Sequence, residues 1–153
     1  MKKKILFLCT GNTCRSAMAA YLGASIAEKD FSQEGFRFDS AGLMAADGSE
    51  ASREACEVLK EKGLDMGAHR SKAFRREMGD VADLLVVMTA AHKDYLITKW
   101  PELADKTYTL GELSGSGRDI PDPYCGSFAM YQQTRDMLAQ DINAMLHSLT
   151  QKS

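Results

Sequence analysis

The residues best suited to chemistry lie between Cys9 and Ser16, where a cysteine and an arginine flank a short polar loop. The segment reads Cys-Thr-Gly-Asn-Thr-Cys-Arg-Ser and directly follows the apolar run Ile5–Leu8. A thiolate that attacks phosphorus needs a concave set of donors for the phosphoryl oxygens and a fixed cation. Arg15 offers planar, bidentate donors that suit phosphate. The spacing therefore predicts a phosphate-binding loop with Cys9 as its nucleophile.

The backbone of this loop is expected to supply most of the donors. A helix is predicted to begin at the end of the loop with Ser16 as its N-cap, and the first N–H groups of a helix favour a bound anion. A curled loop adds further N–H groups, and Gly11 and Asn12 are residue types that tolerate the left-handed backbone of such a curl. The same field favours the thiolate of Cys9, which the Ser16 hydroxyl can stabilise by a hydrogen bond. The expected phosphate-binding positions are Thr10, Gly11, Asn12, Thr13, Cys14 and Ser16.

A general acid is expected in the polar segment 111–126, because a leaving group departs badly unless a positioned acid protonates it. The segment contains Asp119 and Asp122. Pro123 restricts Asp122 to extended backbone and so fixes its direction, which makes Asp122 the preferred acid. Tyr124 is a candidate wall of the substrate cleft. The alternatives are ordinary ones, a turn aspartate and an aromatic loop anchor.

Strand and helix patterns alternate along the chain, and two of the strands are wholly apolar. This pattern predicts an α/β fold with a parallel sheet and helices on both faces. Ligands of such sheets lie beyond the carboxyl ends of the strands, which is where Cys9 stands. We expect one domain over residues 1–153, since composition is uniform and no repeat is present. The predicted strands are 5–8, 36–40, 84–88 and 107–110, the predicted helices are 16–28, 50–62, 90–99 and 127–149, and 111–126 is predicted to be a long loop.

Composition excludes several classes of protein. A net charge of −2 over 153 residues argues against a nucleic-acid partner. The basic start followed by Ile5–Leu8 is too short for a signal peptide, and no stretch is apolar enough to span a membrane. The four cysteines are too sparse for a disulfide scaffold and complete no zinc motif with histidine. We therefore expect a cytoplasmic protein, monomeric and away from membranes, with no metal or organic cofactor.

The sequence CTGNTCRS after ILFL resembles the active-site loop of the low-molecular-weight protein tyrosine phosphatase family. The likeness extends over nearly the whole chain through its length, its order of elements and a late Asp122-Pro123-Tyr124 before the terminal helix. It implies a three-layer α/β/α domain with strand order 2-1-3-4, phosphorylated proteins as substrates and a phosphocysteine intermediate. The chain departs from the family pattern at Ala17, Ala20 and Cys125. The resemblance assigns the nucleophile to Cys9, phosphate binding to Arg15, bracing of the loop to Asn12, thiolate stabilisation to Ser16, support of Asn12 to His69 and general acid catalysis to Asp122.

Thr13 bears on the choice of substrate. Tyrosine phosphatases of the family usually carry Ile or Leu there, whereas members that act on protein phosphoarginine resemble the GNTCRS seen here. Thr is smaller and polar, which leaves room and a hydroxyl for a guanidinium. The segment 134–136, Thr-Arg-Asp, also resembles the bacterial arginine-phosphatase branch. We favour phosphoarginine, with phosphotyrosine as the alternative.

Two other functions are weaker alternatives. Arsenate reduction is a distant third, because residues 84–91 lack the extra cysteines that it needs. A non-catalytic phosphate-binding or redox-sensing module would not require both Cys9 and Asp122.

Two further side chains are interpreted from their positions in the sequence. Cys14 lies five residues from Cys9 across a curled loop, so an oxidised Cys9 is expected to form a reversible disulfide with it; the alternative is a small buried hydrophobe. His92 falls on a predicted helix without an evident partner and is expected to be solvated.

Overall fold

The four strands form one parallel sheet in the order β2-β1-β3-β4, in a computed structural model that describes residues 3–151. The predicted α/β class and strand order are confirmed. The elements in chain order are β1 (Lys4–Cys9), α1 (Arg15–Asp30), β2 (Arg37–Gly42), α2 (Arg53–Lys60), α3 (Arg76–Val81), β3 (Leu84–Val87), α4 (Ala90–Lys99), a 3₁₀ helix (Pro101–Lys106), β4 (Thr107–Thr109), α5 (Leu110–Ser114) and α6 (Phe128–Thr150).

Each face of the sheet is covered by its own apolar core. The side chain of Phe7 packs into the core shared with α1, α2 and α6, while Leu6 and Leu8 pack into the opposite core with Leu96 of α4 and Leu103 of the 3₁₀ helix. Full burial of one such side chain contributes roughly 1.5–3 kcal/mol. Because β1 is buried on both faces between β2 and β3, it is a rigid support for the residue at its carboxyl end, Cys9.

Several helix boundaries differ from the sequence prediction. The second predicted helix, 50–62, is shorter in the structure, where α2 follows the N-cap Ser52 and covers Arg53–Lys60. The first helix begins at Arg15, and its N-cap is Cys14 without a side-chain hydrogen bond, so the prediction of Ser16 as N-cap is wrong. The segment 111–126 is not all loop, because α5 occupies its start. A capping box between Thr109 and Glu112 opens α5, and left-handed Gly115 closes it.

The short helix α3 has no counterpart in the sequence prediction because it buries little. In α3 the only buried residue is Gly79, so no apolar stripe marks the helix in the sequence. No helix within residues 3–151 is both long and apolar enough to cross a membrane.

The end of β2 lies directly beneath the loop that follows β1. A Cβ atom on Gly42 would stand 2.7 Å from the Thr10 carbonyl oxygen and 3.0 Å from the Asn12 nitrogen. Backbone bonds from Leu43 N–H to the Cys9 carbonyl and from Met44 N–H to the Thr10 carbonyl extend this contact. The loop is therefore seated on a position that only glycine fits.

We expect Gly42→Ala to destabilise the protein, because the loop backbone must move to admit the methyl group. The expected loss is about 1–3 kcal/mol of unfolding free energy, seen as a fall of several degrees in Tm. Gly67→Ala is the matched control, since its Cβ would meet only the flexible carboxylate end of Asp65. Equal melting temperatures for the two variants would contradict this packing.

Candidate active site

The thiol of Cys9 points at the first turn of α1. Its Sγ lies 2.9 Å from the hydroxyl of Ser16 and 3.4 Å from the Ser16 backbone N–H, and the side chain is buried. When the sulfur is a thiolate, both groups donate to it, and the amino end of α1 adds its dipole. Ser16 thus lies inside α1, where its hydroxyl contacts the sulfur of Cys9 and does not cap the helix.

Asn12 holds the curl of the loop. It is fully buried with φ 58°, the left-handed conformation expected of the loop, whereas Gly11 has no positive φ. Its Nδ2 donates to the hydroxyls of Ser16 and Ser40, at 2.9 Å each, and its Oδ1 accepts the backbone N–H of Lys72 at 3.0 Å. These hydrogen bonds offset the cost of a left-handed non-glycine residue, which is about 1–2 kcal/mol.

The backbone of Asn12 is also held from outside the loop. The Nε2–H of His69 donates to the Asn12 carbonyl at 2.8 Å, and this contact is buried. The ring of His69 is packed edge-on against Tyr21 of α1, with ring centroids 6.3 Å apart. The geometry places His69 where the sequence analysis expected support for Asn12.

Arg15 joins the loop to residues 119–124, which are called the acid segment because they carry Asp119 and Asp122. Its guanidinium is almost completely buried and donates through one nitrogen to the carbonyl of Ile120 at 3.0 Å. Another nitrogen lies 3.7 Å from a carboxylate oxygen of Asp122, whose side chain is half exposed. Cation and carboxylate thus come from opposite ends of the chain and face the same space.

The acid segment is anchored on one side of Asp122 and exposed on the other. Ile120 is buried, its N–H donates to the Met88 carbonyl, and Asp119 accepts the N–H of Ala90 at the start of α4. Asp122 also accepts the N–H of Tyr124, an aromatic residue that is 70% exposed. The carboxylate of Asp122 therefore stands on a short turn at the edge of an otherwise fixed segment.

A cavity of about 480 Å³ lies between the loop, the acid segment and α4. Its lining includes Thr10, Arg15, His92, Tyr95 and Asp122. The lining contains neither Thr13 nor Tyr124. A buried cation, an exposed carboxylate and an open hydroxyl at one mouth suit a phosphoryl group joined to a larger substituent.

Comparison with known proteins bears on this arrangement. Residues 4–153 match the family described as low molecular weight phosphotyrosine protein phosphatase. The chain belongs to this family. A protein-arginine-phosphatase from Geobacillus stearothermophilus is 45% identical over 150 residues, which are 97% of each chain.

Two other similar proteins show the range within the family. The low molecular weight protein-tyrosine-phosphatase PtpB of Staphylococcus epidermidis is 36% identical over 131 residues, 86% of this chain and 88% of that protein. The solved structure of a YwlE arginine phosphatase is a cysteine-to-serine mutant with a phosphorylated active-site serine. It superposes with a TM-score of 0.91 at 37% identity and covers 97% of each chain.

His92 was missed by the sequence analysis, and the expectation that it is solvated is wrong. Its Nε2 lies 3.0 Å from the hydroxyl of Thr10, and the ring is partly buried at the cavity. Burial, and then the charge of Arg15, lower the pKa of His92 from its ordinary value to about 4, against the opposing effect of Asp119 and Asp122. The imidazole is therefore neutral near pH 7.

The second cysteine of the loop has polar neighbours of its own. The thiol of Cys14 donates to the hydroxyl of Ser52 at 3.3 Å and lies 3.7 Å from the Tyr131 hydroxyl. Burial raises the pKa of Tyr131, so this hydroxyl stays protonated. Thr13 is half-buried beside Cys14, with 3.9 Å between Oγ1 and Sγ, and its carbonyl accepts the N–H of Ser52. Ser52 therefore couples α2 to the loop.

Arg135 in the segment 134–136 serves the packing of helices. It is buried and donates to the Val58 carbonyl at 3.0 Å and to Glu61 at 2.6 Å, which joins α6 to α2.

Within the described residues, no group of three or more histidine, cysteine or carboxylate side chains is placed to hold a metal ion.

We expect Asn12→Asp to damage both stability and turnover. The substitution keeps the size of the side chain but replaces the amide donors to Ser16 and Ser40 with a buried negative charge near the sulfur. The expected loss is about 2–4 kcal/mol of unfolding free energy. Denaturant titration measures it, and kcat/KM on p-nitrophenyl phosphate should fall in parallel. Asn143→Asp adds the same charge on α6 away from the loop, and equal effects of the two variants would contradict the bracing role.

Proposed function

We propose that the chain is a protein phosphatase that uses Cys9 as its nucleophile and acts on phosphoarginine in proteins. The observation that carries the proposal is the meeting of the Cys9 loop, the buried Arg15 guanidinium and the Asp122 carboxylate at one cavity mouth. A nucleophile, a fixed cation and a proton donor are the three groups that phosphoryl transfer through an enzyme intermediate requires.

In the first step, the Cys9 thiolate attacks phosphorus and forms a phosphocysteine as the bond to the leaving atom breaks. The N–H groups of residues 10–16 and the guanidinium of Arg15 bind the non-bridging oxygens. Asp122 donates its proton to the departing nitrogen, or to a phenolic oxygen in a phosphotyrosine substrate. Ser16 stabilises the sulfur before attack through the 2.9 Å contact.

In the second step, the Asp122 carboxylate accepts a proton from a water molecule, which attacks the phosphocysteine. Inorganic phosphate is released, and Cys9 leaves as the thiolate that Ser16 again stabilises. The half-exposed position of Asp122 suits this exchange, because its carboxylate must meet substrate first and water next.

The preference for phosphoarginine is supported by Thr13 and by the similarity to protein-arginine-phosphatases at 45% and 39% identity. A guanidinium is planar and carries several N–H donors, so it suits a site with a carboxylate and small polar side chains. Phosphotyrosine is the second candidate, because relatives at 36% identity are named as tyrosine phosphatases.

The proposal is tested by kcat/KM on two peptides of equal sequence, one with phosphoarginine and one with phosphotyrosine. We expect turnover of both chemistries to require Cys9 and the phosphoarginine peptide to be preferred. Preference for phosphotyrosine would move the chain to the second candidate. Absence of turnover on either peptide and on p-nitrophenyl phosphate would contradict the phosphatase assignment itself.

The remaining expectations concern the setting of the enzyme. All four cysteines are free thiols, which suits the reducing cytoplasm. We propose that the chain acts there as a monomeric single domain on phosphorylated proteins, without a metal or organic cofactor.

Replacement of the acid should affect poor leaving groups most. Asp122→Asn keeps the shape of the side chain but cannot donate a proton to the leaving atom, so we expect a loss of roughly 10²–10⁴ on poor leaving groups and less on p-nitrophenyl phosphate. A series of aryl phosphates measures the dependence on leaving-group basicity. Asp119→Asn is the matched control, because its amide oxygen can still accept the Ala90 N–H. An unchanged dependence in Asp122→Asn would exclude it as the acid.

Thr13→Ile should shift the preference toward phosphotyrosine. Ile keeps β-branching but replaces the hydroxyl with a longer apolar arm, which crowds a guanidinium and contacts a phenyl ring. The ratio of kcat/KM values on the matched peptides should change by about thirty- to a thousand-fold. Thr13→Ser keeps the hydroxyl and should retain the wild-type preference. If Thr13→Ile leaves the ratio unchanged, Thr13 does not read the substrate.

We further propose that oxidation of Cys9 is reversible through Cys14. Peroxide converts the Cys9 thiolate to a sulfenic acid, and the Cys14 thiol displaces water to form a disulfide. Dithiothreitol should restore activity in the wild type, whereas Cys14→Ser should proceed to irreversible oxidation. Cys125→Ser, which removes the exposed thiol, is the control and should behave as the wild type. Mass spectra without a Cys9–Cys14 linkage after mild oxidation would refute the switch.

A further inference from the structure

His92 and Thr10 form a hydrogen-bonded pair on the wall of the cavity. The 3.0 Å contact joins His92 Nε2 to the hydroxyl of Thr10, the residue directly after Cys9. The position of Thr10 is fixed on its backbone side, since its carbonyl accepts the Met44 N–H at 3.0 Å. Its side chain is exposed to the cavity that Arg15 and Asp122 also line. The mechanism above uses only the backbone of Thr10 and leaves this pair without a role.

The other ring nitrogen shows which way this hydrogen bond runs. Nδ1 of His92 is buried and has no hydrogen-bond partner among residues 3–151. A buried N–H without an acceptor is rarer than a buried acceptor with an unused lone pair. The neutral ring therefore carries its proton on Nε2 and donates it to Thr10 Oγ1. With the opposite tautomer, Thr10 would have to donate its own proton to His92.

Burial is the main reason that the ring stays neutral near pH 7, since the charges around it act on its pKa in both directions. Arg15 faces it from the loop, while Asp119 and Asp122 face it from the acid segment. On its own helix, Lys93 is paired with Glu112 at 3.0 Å. With burial acting in the same direction as Arg15, the pKa of His92 lies at about 4, so the single-proton ring is the form present during turnover.

We propose that His92 is a positioning residue that keeps the Thr10 hydroxyl available as a donor to the phosphoryl group. Because Nε2–H fills one lone pair of Thr10 Oγ1, the Thr10 proton is free to point into the cavity toward a phosphoryl oxygen. The assignment rests on the proposed phosphate-binding role of the Cys9 loop, to which it adds a side-chain donor. In this assignment, the role of α4 is to hold His92, which lies in its first turn, next to the Cys9 loop.

The test is a double-mutant cycle on the affinity for inorganic phosphate, measured by calorimetry. Thr10→Val keeps the shape of the side chain and removes the hydroxyl, and His92→Leu removes the donor to it. Each should weaken phosphate binding by roughly tenfold or more, the range of a hydrogen bond to a charged group. Adding His92→Leu to Thr10→Val should cause no further loss, since His92 acts through Thr10.

A conservative variant separates positioning from packing. His92→Gln places an amide N–H near the position of Nε2, so it should recover most of the phosphate affinity that His92→Leu loses. The kinetic constants kcat and KM on p-nitrophenyl phosphate should show the same non-additive pattern as the phosphate affinity. The melting temperatures of the variants, measured by thermal unfolding, should not show this pattern. Nitrogen-15 NMR of the wild type should show His92 protonated on Nε2 at pH 7.

Three results would overturn the assignment: additive losses in the double variant, unchanged phosphate affinity in His92→Leu, or a proton on Nδ1. Wild-type protein that binds phosphate with the expected coupling but turns over neither phosphopeptide nor p-nitrophenyl phosphate would overturn the proposed function and support the positioning of Thr10. Turnover by the wild type, together with additive losses of phosphate affinity in the double variant, would support the proposed function and overturn the positioning role of His92.

Discussion

The candidate site depends on one constraint, which is that the short loop after Cys9 must keep a left-handed turn at Asn12. Asn12 satisfies that constraint by placing its side chain where a glycine would leave a void. All polar atoms of its amide are bonded, to Ser16, Ser40 and Lys72. Since the residue is fully buried, loss of any partner would leave an unpaired polar group, which costs about 1–3 kcal/mol. The curl is thereby coupled to β2 and to the segment after His69.

A second coupling extends from the loop to the acid segment. Arg15 is held by the Ile120 carbonyl, so the guanidinium at the cavity also fixes the segment that carries Asp122. Asp119 and His92 continue this coupling to the first turn of α4. Cys9, Arg15 and Asp122 consequently share one framework built at the carboxyl ends of β1 and β3, where an open α/β sheet places its ligands.

The parts of this site that are contiguous in sequence could be predicted, because one stretch of eight residues carries both the nucleophile and the cation. The strand before it and the helix after it follow from apolar patterning, and the start of α5 is marked in the sequence by the capping pair Thr109 and Glu112. His92 could not be found this way. Its importance comes from the packing of α4 against the loop, and its neighbour Thr10 lies 82 residues away.

The same limit applies to the partners of the loop. Nothing in the local pattern around Ser52 or Lys72 indicates that one supports Cys14 and the other Asn12, because both contacts arise from tertiary packing. The assignment of Ser16 as N-cap failed for a related reason. Residue preference favours serine at a helix start, but here the thiol of Cys9 is the partner available to its hydroxyl.

If the phosphoryl group passes through a covalent bond to Cys9, rapid acid quenching during turnover should trap it there. Peptide mass spectrometry of the quenched wild type should find one phosphoryl group on the peptide that contains Cys9. Cys9→Ala should show none and should be inactive. A phosphoryl group on another residue, such as His92, or undiminished turnover by Cys9→Ala would contradict the account.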